Sequence, residues 1–410
     1  MNMNIQTLKG FRDFLPAEAR KRQYVIDALK KVFESYGFEP LETPVLEYEE
    51  ILSGKYGEEG DKLMYRFEDN GKRRVAMRYD QTVPLARVIA QYGSASSPQG
   101  QPLLPMPFKR YQLQNVWRAD NPQKGRFREF LQCDIDTIGL NSPITDAEIV
   151  AMVARSFQVL GFQDYKILIN DRKVFDDLPI EAIIIIDKLK KIGVENVEKE
   201  LENRGFSKEV VTKIQESPTP ESISKIIKLA TQMGAEEDRI VFEPTLARGL
   251  DYYTGMIIEV EIPAYTAGSV GGGGRYDKLL GLFSNKDFPA VGFAFGFDRI
   301  IEAMSEQNLF PEDLTSTASV LLTVFNPDYA DNSMRIAVRL RKEGIPTELW
   351  LDEKSKMEKQ LKYADQKGIP YVIILGPEEA EKNILTLKNM KTREQQKGTL
   401  EEIVKLLLKT

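Results

Sequence analysis

Trp117-Arg118-Ala119-Asp120-Asn121-Pro122-Gln123-Lys124-Gly125-Arg126-Phe127-Arg128-Glu129-Phe130-Leu131-Gln132-Cys133-Asp134-Ile135-Asp136-Thr137 is the stretch on which the reading of this chain turns. Its second half alternates. Leu131, Cys133 and Ile135 point one way and Gln132, Asp134 and Asp136 the other, the period-two signature of a strand. Its first half is a turn-rich loop between two strand-like segments, so Arg118, Arg126 and Arg128 would project from a sheet edge. Guanidinium is planar, always charged and able to bind two phosphate oxygens at once, which makes such a loop a phosphate gripper. The same pattern also describes a solvated basic loop running into a sheet face exposed to water.

Working outward, Gly10-Phe11-Arg12-Asp13-Phe14-Leu15-Pro16 leads into an amphipathic helix. Pro16 suits its first turn, Val25, Leu29, Val32 and Phe33 share a face, and Gly37 can end it. Residues 41–140 read as strands and turns punctuated by Gly and Pro. A helix follows, with Thr145 as its expected N-cap and Gly161 as its stop. Residues 171–238, rich in Lys, Glu and Ile and broken by Ser217-Pro218-Thr219-Pro220, read as a helical insertion. Strand patterns resume at 256–262 and 291–295, and a helix starts near Phe297. Residues 309–317 read as a linker. Beyond it, apolar runs at 320–325, 347–351, 371–375 and 384–387 alternate with helical periods, which predicts a compact α/β domain closed by a helix over 400–408.

The 410 residues predict two to three domains, and 42% apolar with 29% charged residues is ordinary for a soluble globular chain. No apolar run approaches the ~20 residues of a membrane helix, and the first ten residues offer no secretion signal. Cys133 is the lone cysteine, which excludes an internal disulfide and multi-cysteine metal sites. These features predict a cytoplasmic protein. There is no histidine at all, so neither an imidazole zinc site nor a histidine general base exists. The net charge of −6 disfavours a globally basic nucleic-acid binder. Residues 319–410 hold 16 basic against 14 acidic side chains, an excess of two, which leaves −8 for the rest. The C-terminal domain is the less repulsive surface for a polyanion.

Three further segments could carry chemistry. Leu246-Ala247-Arg248-Gly249-Leu250-Asp251-Tyr252-Tyr253-Thr254-Gly255 places a cation and phenols together, or is a surface turn with two core aromatics. Ser269-Val270-Gly271-Gly272-Gly273-Gly274-Arg275-Tyr276-Asp277 is either a loose hairpin tip or a backbone on which a substrate can lie directly. Gly292-Phe293-Ala294-Phe295-Gly296-Phe297-Asp298-Arg299 alternates small residues with aromatics and ends in the first turn of a helix, a natural anion site. Neither a G-x-x-x-x-G-K-[ST] loop nor a G-x-G-x-x-G fingerprint is present. If ATP binds, arginines must hold its phosphates.

In this order and spacing the segments resemble the histidyl-tRNA synthetases, a family of class II aminoacyl-tRNA synthetases, over nearly the whole chain. Gly10 to Pro16 resembles the family's opening signature, and Pro44 sits where the class has its motif 1 dimer proline. Residues 117–132 resemble motif 2, residues 246–255 and 270–277 the two histidine-specific motifs, and residues 292–299 motif 3. The resemblance implies an α+β fold: an antiparallel sheet core with a helical insertion at about 171–238 in a catalytic domain over 1–316, followed by an anticodon-binding α/β domain over 317–410.

It also implies roles. Arg118 would grip the ATP α-phosphate, with Arg248 approaching from the other side. Arg126 and Arg299 would bind the outer phosphates or adenine, and Phe130 would stack on adenine. Asp80, Thr82 and Gln132 would hold the amino group of L-histidine, and Asp136, Tyr253 and Tyr276 would surround its imidazole, with Tyr252 nearby. Mg²⁺ would accompany ATP; histidine tRNA would be the acyl acceptor; the chain would be a homodimer with no membrane association. Asp136 stands where many bacterial members carry Glu, and its shorter reach suggests a bridging water. The wording at Ala119-Asp120 and Cys133-Asp134 is closer to the archaeal and eukaryotic branch.

The implied first step, attack of an amino-acid carboxylate on the α-phosphorus, needs no general base because the nucleophile is already ionised. The histidine-free composition would also let such an enzyme be translated when charged histidine tRNA is scarce. Two other readings stand beside this one: a non-catalytic paralogue such as the regulatory subunit of ATP phosphoribosyltransferase, and a different class II synthetase. Arg118, Arg248, Arg299 and the C-terminal domain favour an enzyme, and the paired segments 246–255 and 271–277 favour histidine.

Overall fold

The structure is a computed structural model that describes residues 5–55, 57–93, 103–122, 126–248, 253–283, 287–312 and 314–409. It divides into two compact units, one formed by residues up to 13 with 22–309, the other by 14–21 with 310–410.

The larger unit contains β1 (Glu39–Pro40), β2 (Leu46–Tyr48), β3 (Arg66–Glu68), β4 (Arg74–Met77), β5 (Phe108–Trp117), β6 (Glu129–Ile138), β7 (Lys166–Asp171), β8 (Ile240–Phe242), β9 (Met256–Glu261), β10 (Gly271–Arg275) and β11 (Ala290–Phe295). Eight of these form one sheet in the order β1-β5-β6-β11-β10-β9-β7-β8, and β2-β4-β3 form a small second sheet. The pairs from β5 through to β7 are antiparallel, with only β1 and β8 added in parallel at the edges. The β6–β11 and β11–β10 pairings therefore bring 129–138, 290–295 and 271–275 side by side.

Register gives the sheet two faces, because directly opposed residues share a face. Cys133, Ile135 and Thr137 on β6 oppose Phe295, Phe293 and Val291 on β11. This is the helix-covered face. Phe33 of the helix Pro16–Ser35 and Phe157 of the helix Pro143–Val159 both pack on Phe295. The expected stripe Val25, Leu29, Val32 and Phe33 is buried, and Gly37 follows with φ of 75°.

Some local expectations give way. The helix after β6 begins at Pro143, and its cap is Ser142, whose side chain accepts from the Ile144 amide. Thr145 lies inside the first turn, since proline at the first helical position fixes the start one residue earlier. Within 41–140, read as strands and turns, the helix Thr82–Tyr92 forms and buries Val83, Leu85, Ala86, Val88 and Ile89. Pro84 falls in its first turn, where the missing N–H costs nothing.

The stretch 171–238 contains two kinds of helix. Those at Ile180–Ile186, Val194–Asn203 and Glu209–Gln215 share a core of Phe175, Ile183, Ile186, Val197, Leu201, Val211 and Ile214. The helix Glu221–Gln232 instead packs on Pro143–Val159 and β7, burying Ile223, Ile226 and Ala230.

The smaller unit holds β12 (Val320–Leu322), β13 (Thr347–Leu349), β14 (Tyr371–Ile374), β15 (Leu385–Asn389) and β16 (Gln395–Gly398), in the order β13-β12-β14-β15-β16. The first three run parallel, as right-handed βαβ connections require, and β15 and β16 close the sheet antiparallel. Its last helix, Leu400–Leu407, starts at a capping box between Thr399 and Glu402. Among the described residues no helix is long and apolar enough to cross a membrane.

Candidate active site

The other face of the large sheet is the site. On it, Asp134 lies in a cross-strand row with Gln112 on β5, Ala294 on β11, Gly272 on β10 and Glu259 on β9. The next row runs Arg110, Asp136, Gly292, Gly274 and Ile257. The carboxylates of β6 are thus followed by two strands that contribute almost no side chain, which opens a hollow above the backbone. The glycine run is neither a loop nor a hairpin tip: it is a buried interior strand. Both sides of it are needed bare. A Cβ on Gly271 would lie 2.6 Å from the Phe293 ring, and one on Gly273 2.0 Å from the Gly292 carbonyl oxygen. A Cβ on Gly292 would meet Asp136 Oδ1 at 1.9 Å.

Two cavities share this face. A narrow cleft is lined by Thr82, Asp134, Asp136, Tyr253, Tyr276 and the glycines of β10. A larger one is lined by Arg118, Arg126, Phe130, Gln132 and Arg299, together with Asp120, Phe127 and residues 295–298. The four residues expected at a nucleotide therefore come together in one cavity, and Asp136, Tyr253, Tyr276 and Thr82 in the other. Gln132 joins them: it lines the larger cavity while its amide donates to Asp134 Oδ2 at 3.1 Å in the smaller. Arg118 directly follows β5 and Arg128 directly precedes β6, so these two cations stand at the strand ends of the sheet.

Each side chain is held. Arg118 donates from Nε to the Tyr79 carbonyl at 3.1 Å, and its guanidinium lies over the Tyr79 and Phe130 rings. Arg126 is largely exposed and pairs with Asp120 at 2.9 Å. Arg299, in the first turn of the helix Phe297–Glu306, donates to the Ser269 carbonyl at 2.7 Å. Asp80 Oδ1 accepts from the Val83 amide at 3.1 Å, which ties it to the start of the helix that carries Thr82. Arg248 has φ of 42° and pairs with Glu259 at 3.0 Å. Its guanidinium rests over Gly272, where a Cβ would come within 1.6 Å of Nη1. Tyr252 lies outside the described residues.

The two β6 carboxylates differ electrostatically. Asp136 accepts from the Tyr276 hydroxyl and pairs with Arg110 at 2.6 Å. Burial pushes its pKa up, while Arg110 and Tyr276 hold it down. Asp134, 4% exposed, is pushed up to about 8 by burial, which Arg110 opposes and Asp136 and Asp80 reinforce.

These segments match known proteins end to end. The family model described as histidyl-tRNA synthetase covers residues 10–192 and 198–300. The chain belongs to the histidyl-tRNA synthetase family. A second model, an anticodon binding domain, matches residues 319–410. The chain is 38% identical to the histidine–tRNA ligase of Cytophaga hutchinsonii over 98% of both chains. It is 40% identical to that of Christiangramia forsetii, over 94% of this chain and 95% of the relative. The crystal structure of histidyl-tRNA synthetase from Nostoc sp. PCC 7120 superposes with a TM-score of 0.87 and 30% identity, covering 100% of both chains.

Against the family's motifs, the structure adds residues that the sequence alone did not single out. Arg12, in the segment resembling the opening signature, donates to Asp298 at 3.1 Å and lies 3.2 Å over the Phe127 ring. Arg22 pairs with the same Asp298 at 2.5 Å. These contacts fasten the motif 3 helix to the motif 2 loop. Arg275 is buried and bridges Asp146 and Asp277. Arg110, fully buried behind Asp136, also donates to Gln112 at 3.1 Å. Gln112 in turn donates to Thr43 and Gln114, beside the segment resembling motif 1. A buried guanidinium without local sequence signal is visible only once strands pair.

Proposed function

We propose that this chain activates L-histidine with ATP and passes the histidyl group to the 3′ end of histidine tRNA. The observation that carries the reading is the junction at Gln132: a cavity lined by Arg118, Arg126 and Arg299 meets a narrow cleft floored by carboxylates. The family's substrates of the first step, ATP and an amino acid, would then lie end to end.

In the larger cavity Arg118, Arg126 and Arg299 bind the phosphates and Phe130 stacks on adenine. In the smaller, Asp80, Thr82 and Gln132 hold the α-amino group, Asp136 and Tyr276 receive the imidazole edge, and Tyr253 packs beside it; Tyr252 belongs to the same set. The substrate carboxylate attacks the α-phosphorus while Arg118 and Arg248 stabilise charge on the phosphate oxygens, so the protein supplies alignment and electrostatics and no base. Mg²⁺ accompanies the nucleotide and adds positive charge at its phosphates. In the second step a phosphate oxygen of the adenylate accepts the proton of the tRNA ribose hydroxyl. Full adenylation by an Arg248→Ala variant would remove Arg248 from this scheme.

A pocket that hydrogen-bonds both edges of an imidazole can reject lookalikes by about 10⁴–10⁵, since its own polar groups are otherwise left unpaired. Residues 1–316 are the catalytic domain and 317–410 contact the anticodon. The small sheet leaves Leu46, Tyr48 and Phe67 exposed beside Pro44, which supports a homodimer through this segment; the working compartment is the cytoplasm.

The test is ATP–pyrophosphate exchange with each of the twenty amino acids and Mg²⁺. Exchange with histidine alone is the expected result. No exchange with any amino acid, from folded protein, points to the regulatory paralogue instead.

A further inference from the structure

Asp134 has no part in the scheme above, yet it stands in the floor of the smaller cleft between Gln132 and Asp136. Its Oδ2 accepts from Gln132, while its buried Oδ1 has no hydrogen-bond partner among the described residues, and neither does Gln132 Oε1. Two buried acceptors two residues apart on one strand face thus open into a cleft. A buried polar atom left unpaired carries the full cost of its lost hydration, so such atoms mark a place where a donor arrives.

The neighbouring cations are committed elsewhere. Arg110 is engaged with Asp136, Arg248 with Glu259, and Arg118 with the Tyr79 carbonyl and two rings. Of the two residues that oppose it, Ala294 has no polar side-chain atom and the Gln112 amide donates to Thr43 and Gln114. What the site lacks is a positive charge of about the size of an ammonium group, and Thr82 lies in the same lining.

Resting on the histidine reading, we infer that Asp134 is a substrate-binding residue that receives the α-ammonium group of the amino acid, positioned for it by Gln132. The group that faces it then changes state. The charged groups around Asp134 are Arg110 from β5, Asp136 on its own strand, Asp80 ahead of the helix Thr82–Tyr92, and Arg118; β11 and the glycines of β10 add none. Burial among these raises the pKa of the free carboxyl to about 8, so a cation facing it is what would hold it in the ionised, acceptor form. An arriving ammonium favours the ionised form, so binding releases a proton to solvent.

The experiment uses the full chain and two ligands that divide the substrate: histidinol, which keeps the amine, and 3-(imidazol-4-yl)propionate, which lacks it. Asp134→Asn should weaken histidinol by about 10- to 100-fold, the size of one charge-assisted hydrogen bond. It should leave the deaminated ligand and ATP within about twofold. Calorimetry near pH 7 in two buffers of different ionisation heat should show a proton released on histidinol binding to the unmodified chain and not to the variant. Unchanged histidinol binding by the variant, or an equal loss for both ligands with ATP affinity kept, overturns the role of Asp134 alone. Failure of the unmodified chain to bind either ligand overturns the histidine reading and this inference with it.

Discussion

Arg110 and Asp136 oppose each other across β5 and β6, a guanidinium nitrogen 2.6 Å from a carboxylate oxygen, with the arginine wholly shut from solvent. Burying two charges is worthwhile only when each answers the other. Arg110 opposes the burial that raises the Asp136 pKa and so favours the carboxylate form in the floor of the cleft.

Replacing Arg110 with Met should therefore cost stability and recognition together. Breaking one side of a buried pair is expected to lower stability by about 3–5 kcal/mol, measured by urea unfolding. Without the cation opposing burial, the Asp136 pKa rises further. The histidine KM in pyrophosphate exchange should increase about 10- to 100-fold near neutral pH and fall again as pH is raised towards 9. Arg110→Lys, which restores the charge without the planar fork, should recover part of the loss. A KM that is flat with pH in the Met variant would show that Arg110 has no electrostatic hold on Asp136.

Asp134 sets up a stability–pH prediction of definite sign. Its folded pKa of about 8 lies above the ~3.9 of an unfolded aspartate. Between the two the native state binds the extra proton, so this group's contribution to stability falls as pH rises from about 4 through 8. Asp134→Asn removes that slope. The unliganded variant should match the parent near pH 4 and exceed it at pH 8 by up to about 5 kcal/mol; parallel melting curves at the two pH values check it.

How far the sequence carried this site depends on range. The alternation of Gln132, Asp134 and Asp136 is a local signal, and it placed all three on one face correctly. Whether that face is wet or dry is not local, because it depends on β11 and β10 arriving from more than 130 residues away. Arg110 looked like any strand arginine beside Lys109 until pairing put it opposite Asp136. The glycine run illustrates the same limit: four glycines read as flexible, yet neighbouring backbone and Phe293 leave no space for a side chain at Gly271, Gly273 or Gly274. The helix Thr82–Tyr92 was hidden by its early proline, and β16 by a polar sequence that only its edge position explains. In the smaller unit, short apolar runs marked β12 and β14 directly, since central strands covered on both faces need no alternation.

Gly272 and Gly273 should respond oppositely to alanine. At Gly272 the new methyl meets only the movable end of Arg248, so the fold should survive with Tm little changed. Displacing that guanidinium should cut pyrophosphate exchange by about 10- to 100-fold if Arg248 acts on the phosphate. At Gly273 the methyl meets the Gly292 carbonyl and Phe293 backbone, which cannot yield. That variant should lose stability by several kcal/mol, on the scale of ~1–3 for an ordinary overpacked site and above it. Full activity in Gly272→Ala would remove Arg248 from the chemistry.

Arg118 and Arg126 offer a graded comparison. Arg118 is held by Tyr79 and sandwiched near two rings, whereas the Arg126 side chain is 60% exposed. Preorganised charge aimed at a developing anion is worth about 10²–10³ in rate, so Arg118→Met should lose that much exchange. Arg126→Ala should lose about tenfold or less, because a solvated, mobile cation is screened. Equal losses would mean that the loop closes over Arg126 when nucleotide binds.

A hollow walled by main chain rather than side chains has a peculiar evolvability. Mutation can narrow it, since any substitution of the four β10 glycines adds atoms, but no substitution at those glycines can widen it. Variants selected to accept bulkier imidazole analogues must therefore trim the opposite wall, at Tyr253 or Tyr276, and leave the glycine strand untouched. The substrate range of such a scaffold drifts more easily towards smaller ligands than towards larger ones.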